Sequence, residues 1–240
     1  MPKKVWKWQM QSNKSKIQRL IAESLSRQVA QRREYTLFGK FFYLKEPFLG
    51  NIDVQSVIET LETSIPSHLF DEIDEVLIGD FDFLHERSLE AMYKDGAIYI
   101  TNQIQSAKDL IENIVHEAGH SLEYSYGAVI YGDRKINAEF IGKRERLQSI
   151  LQSEGYKVAS YDFEDVEYDE EFDAFLYKEV GYVKLNNLVN GLFVSSYAVT
   201  SLKEYWAVGF EDYFIGDRDY LKTISPILFR KIEEVITYED

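Results

Sequence analysis

Two histidines four residues apart with a glutamate beside the first, His116-Glu117-Ala118-Gly119-His120, constrain this chain more than any other feature. The spacing has chemical meaning on an α-helix, where residues i and i+4 stand one turn apart on one face. There both imidazoles reach a single Zn²⁺ at about 2.0–2.1 Å. Glu117 then stands close enough to take a proton from a water activated by the metal. Random ordering of 4 His and 25 Glu in 240 residues gives the pattern only about 0.005 times, so it is read as functional rather than as two solvated histidines flanking a glutamate. The flanking sequence agrees. Ser106 with Asp109 starts a helix, Leu110, Ile111, Ile114, Val115, Ala118 and Leu122 line its apolar face, and Gly127 is expected to stop it.

A catalytic zinc takes three protein ligands and keeps one position for water. The chain has no cysteine, which excludes thiolate ligands, thiol nucleophiles and redox pairs. The two other histidines, His68 and His85, lie upstream, so the third ligand is a carboxylate or one of these. Two downstream carboxylates stand out. Glu139 follows His120 by 19 residues, a spacing suited to a helix that folds straight back, and Glu204 opens a later helix in Glu204-Tyr205-Trp206-Ala207. Glu204 also stands three residues after Ser201, where it would complete a capping box. Glu123, on the same helical face as His116, is read as a neighbour of the ligands, since a fourth protein ligand would close the water position.

The rest of the chain supplies an acidic globular body. Residues 1–45 carry 11 Lys or Arg against 2 Glu, whereas the remainder carries 16 against 39 acidic residues. Such a body disfavours a nucleic-acid groove, because phosphate contacts need cations. The basic arm is read as a helix, with Ile17, Leu20, Ile21, Leu25 and Val29 on one face, docking on that body. Asp53 to Pro66 reads as a capped helix, Glu75 to Phe81 and Ala97 to Thr101 as strands, and helices are expected over 134–151, from Ser201 to Phe214 and from Ser225-Pro226 onward. Residues 161–180 hold nine acidic groups against one Lys and are read as a loop or hairpin, which would concentrate cationic peptides. No apolar run reaches the roughly 18–20 residues of a membrane span. No apolar signal region follows Met1 to Trp8, so a cytoplasmic protein is expected unless another route exports it.

The segment Val194-Ser195-Ser196-Tyr197, with Glu204-Tyr205-Trp206-Ala207 and Phe210 after it, resembles the end of the catalytic domain of anthrax lethal factor and the related Pro-Pro endopeptidases. Tyr220-Leu221-Lys222-Thr223 with Pro226, Phe229 and Ile232 is similar to that family's closing helix. The resemblance covers about residues 96 to 127 and 190 to 237, and the interval between His120 and Glu204 is much longer than the family pattern. It implies an α+β, zincin-like fold: a small twisted sheet, with Ala97 to Thr101 as a candidate edge strand, packed on the motif helix, and a helical C-terminal part. It further implies His116, His120 and Glu204 as zinc ligands, Glu117 as the catalytic base and Tyr197, seven residues before Glu204, as a stabiliser of the transition state. The expected division is a basic arm at 1–45 and a catalytic domain at 46–240 with an acidic insertion around 128–190. The expected activity is that of a zinc metalloendopeptidase acting on a peptide or protein substrate, with no membrane or nucleic-acid partner. The alternative is a silent interaction module that binds a protein partner. Substrate identity and oligomeric state stay open.

Overall fold

The computed structural model describes residues 33–238. β1 (Glu34–Leu37) and β2 (Lys40–Leu44) form a hairpin through Phe38 and Gly39, whose φ values of 50° and 77° suit a two-residue reversal between twisted strands. With β3 (Glu75–Gly79), β4 (Ala91–Lys94) and β5 (Ala97–Thr101) they make a mixed sheet in the order β1-β2-β3-β5-β4. The sheet thus begins before the boundary expected at residue 45, and the helix expected over residues 17–29 lies outside the described residues.

Ala97–Thr101 is not the edge strand. It sits between β3, to which it is parallel, and β4, to which it is antiparallel, and its fully buried Ile98 and Ile100 suit that interior place. The turn Asp95-Gly96, both residues at positive φ, folds β4 back to become the edge.

Helix α1 (Val54–Ser64) starts where Asp53 accepts from the amides of Gln55 and Ser56, and it buries Val54, Val57, Ile58 and Leu61. A short α2 (Asp82–Arg87) precedes β4. The motif helix α3 (Ala107–Tyr131) begins at the Ser106 cap, as expected, but runs through Gly127 to end at Gly132. A mid-helix glycine costs about 1 kcal/mol. Buried Ile130, and the Val129 carbonyl accepting from Lys231 Nζ, offset that cost and carry the helix on. Helix α4 (Lys135–Ser153) buries Phe140, Leu147 and Leu151 in the common core.

The acidic stretch is helical from residue 170, not a loop or hairpin throughout. Asp169 caps α5 (Glu170–Ala174), whose first-turn Glu170, Glu171 and Asp173 complement the positive helix end, and a π-helical stretch continues over Phe175–Val180. Phe172, Phe175 and Leu176 are buried. Arg144, also buried, stacks 4.2 Å from the Phe172 ring centroid and donates to the carbonyls of Asp162 and Asp165, so the acidic segment is pinned from beneath. Four helices follow: α6 (Tyr182–Leu188), α7 (Leu202–Ile215) capped by Ser201, α8 (Arg218–Ile224), and α9 (Pro226–Ile236) with proline in its first turn. Among the described residues no helix is long and apolar enough to cross a membrane.

Helices α3 and α7 lie so close that a Cβ on Gly119 would meet the Ala207 Cα at 3.2 Å and Phe210 at 3.4 Å. Trp206 Nε1 donates to the Gly119 carbonyl across the contact (2.8 Å). Fully buried Tyr205, Trp206 and Phe210 fix α7 there, each contributing about 1.5–3 kcal/mol by the area it removes from water.

Candidate metal centre

The contact between α3 and α7 brings His116, His120 and Glu204 together, with one donor atom of each within 4.8 Å of the others. The Nε2 atoms of His116 and His120 stand 3.1 Å and 3.5 Å from Glu204 Oε2. Donors around a tetrahedral zinc at about 2.0–2.2 Å are roughly 3.3–3.6 Å apart, so one spacing falls in that range and the other just below it, and two imidazoles with a carboxylate are a donor set that could hold such a metal. Ser201 Oγ accepts from the Glu204 amide (3.1 Å), which makes half of a capping box, while the Glu204 carboxylate turns instead to the histidines. Their hydrogen bonds outweigh the effect of burial and hold Glu204 down to about 2.

The outward ring nitrogens are also engaged. His116 Nδ1 donates to Glu211 Oε2 (3.2 Å) and His120 Nδ1 to Glu123 Oε1 (2.8 Å), while Tyr131 OH donates to the other Glu123 oxygen (3.0 Å). Burial alone would lower both histidine pKa values. Glu204 and Glu211 raise His116 to about 9, and Glu123 and Glu204 raise His120 to about 10. Carboxylates on Nδ1 fix each ring with Nε2 facing the centre, the arrangement that strengthens imidazole as a ligand. Glu211→Ala should therefore weaken zinc affinity by about 10–100-fold in a chelator competition, and Glu211→Gln, which still accepts from Nδ1, should recover most of it. Unchanged affinity in the alanine variant would make the contact incidental.

Glu117 is 8% exposed, and its Oε2 accepts from the Tyr93 amide on β4 (2.6 Å). Burial raises its pKa; the two histidines and the amide oppose that. Tyr197, in a 3₁₀ turn just before α7, lies with its ring 6.0 Å from that of His116. Partial burial and then the charges of Glu204 and Glu117 push its pKa up, so the phenol keeps its proton. Glu139 lies elsewhere: its oxygens accept from the Ile227 and Leu228 amides and from Tyr205 OH, capping α9.

Two hollows meet above the centre. One, of about 420 Å³, reaches toward Glu90, Glu112 and Glu211, and the other, of about 370 Å³, toward Glu123 and Lys203. Ala91 of β4, His116, Glu117 and Tyr197 border both, so β4 forms one wall of the continuous groove. Glu211 escaped sequence reasoning although its spacing could have found it, since seven residues after Glu204 is the same face of α7 two turns on. The Tyr93 amide left no such trace, because backbone groups carry no sequence signal. No family model, curated protein or solved structure matches this chain.

Proposed function

We propose that the chain is a zinc-dependent endopeptidase with a zincin-like fold, similar to the lethal factor and Pro-Pro endopeptidase family. The convergence of His116 Nε2, His120 Nε2 and a Glu204 oxygen in the wall of an open groove carries the reading. A zinc ion held by these three residues would supply Lewis acidity, making water acidic and polarising a carbonyl at neutral pH. Glu117 takes the proton of the attacking water and passes it to the leaving amine. Its bond to the Tyr93 amide aims the carboxylate while leaving the second oxygen for that proton. Tyr197 donates its phenol proton as a hydrogen bond to the carbonyl oxygen as charge develops there. Apart from the Tyr93 amide, which Glu117 takes, the edge backbone of β4 offers an extended peptide a partner strand along the groove.

The direct test is a mixed peptide library read by mass spectrometry. Cleavage should disappear on zinc chelation and return when zinc is added back. A protein that holds one zinc and cuts nothing would favour the interaction-module reading. Tyr197→Phe sharpens the test, because it removes only the hydroxyl. The fold and zinc content should persist and kcat should fall by about 10²-fold or more, with little change in KM, as for other oxyanion donors. A kcat within about twofold of wild type would leave Tyr197 a wall residue only.

A further inference from the structure

The groove differs in charge at its two ends. Going from Glu90 into β4 as far as Tyr93, and along α3 from Glu112 to Glu123, the lining passes from one hollow through the candidate metal centre to the other. The first hollow holds Glu90, Glu112 and Glu211 and no Lys or Arg among its lining residues. Glu112 is paired with Lys108 (2.6 Å) on the helix surface and Glu211 with His116, whereas Glu90 is exposed. The second hollow holds Lys203, the one Lys or Arg in the groove lining, exposed and without an ion pair among the described residues. The anions beside it are already engaged, Glu204 by the two histidines and Glu123 by His120 and Tyr131. Lys203 is therefore available to a group arriving from outside, and it stands at the end of the groove opposite Glu90.

The geometry points to a substrate class. The groove takes peptides that carry a cationic side chain toward the Glu90 and Glu211 end and an anionic side chain toward Lys203, so that charge sets which way round a peptide lies over the centre. This rests on the peptidase reading and adds its specificity. Long-range attraction by the net charge of −14 favours any cationic peptide, whatever the position of its charges. Discrimination by order within one peptide therefore requires the local arrangement. Complementary charges at partly exposed sites contribute modestly one by one, and wrong-way placement loses the attraction at both ends and adds repulsion.

Two peptides of identical composition test this, Lys-Lys and Glu-Glu flanking the same four apolar residues in the two opposite orders. Both are neutral overall, so the field of the whole chain cancels. Wild-type protein should cut one order about tenfold better in kcat/KM than the other at low salt, and the ratio should narrow at high salt. Lys203→Met combined with Glu90→Gln should bring the ratio near one, while Lys157→Met, remote from the groove, should leave it intact. Equal cleavage of the two orders by wild type, or a ratio untouched by the paired substitutions, overturns the inference while leaving the peptidase reading standing. If neither peptide is cut, fluorescence anisotropy of the labelled peptides with wild-type protein decides. A tenfold binding preference for one order keeps the polarised groove and equal or absent binding overturns it, while the peptide library, read separately, decides the peptidase.

Discussion

Glu117→Gln should lower peptide hydrolysis by about 10²–10⁴-fold, the usual cost of removing a general base, while zinc content stays at that of wild type. The amide matches the carboxylate in shape, and its oxygen can still accept from the Tyr93 amide that holds Glu117 in place (2.6 Å). What it cannot do is bind the proton of the attacking water. Burial raises the Glu117 pKa, which brings the carboxylate nearer to the strength a base needs at neutral pH. Kinetics and metal analysis on one preparation give the answer. Full zinc with near-normal turnover would remove Glu117 from the chemistry, and lost zinc would show that the residue supports the ligands instead.

Glu204→Ala should weaken zinc binding by more than the roughly 10–100-fold that an outer hydrogen-bond partner is worth, because it removes one of the three proposed donors. Glu139→Ala should behave in the opposite way. Zinc affinity should hold, because Glu139 caps α9 through the Ile227 and Leu228 amides (2.9 Å and 3.0 Å) and accepts from Tyr205 OH. Losing the cap and one of the two side-chain partners of the Tyr205 hydroxyl, which keeps Ser225, should instead cost about 1–3 kcal/mol in unfolding free energy. Equilibrium dialysis with zinc and urea unfolding of the two variants separate metal from fold. A reversed pattern, with zinc lost in the Glu139 variant and kept in the Glu204 variant, would displace the third ligand.

The parts of the molecule that could be read in advance were those whose signal is local. The two histidines and Glu117 declare their helix by spacing, Asp53 and Pro66 bracket α1, and Ser225-Pro226 opens α9. Glu139 and Glu204 were equal on spacing; the family resemblance favoured Glu204, and the packing of α7 against α3 brings that carboxylate to the histidines. The edge position of β4 stayed hidden because Ala91–Lys94 is too short to show a pattern, and strand order is a property of the whole sheet. Gly127 misled because buried neighbours carried α3 onward. The acidic segment misled because its nine like charges are visible in sequence, whereas the buried Arg144 that gathers the chain beneath them is not.

Gly119 has a consequence beyond close packing. It contributes no donor to the centre, yet the absence of its side chain sets the gap between the helix that holds two donors and the helix that holds the third. The pair of helices works as a caliper whose jaws are set by backbone contact at Ala207, and interiors packed at this density do not give without displacing their neighbours. With a metal held by these three residues, as proposed, ion size would be measured in the hydrophobic core. A methyl at residue 119 should open the jaws by a few tenths of an ångström, shifting preference from zinc toward larger ions such as Mn²⁺ without touching a single ligand.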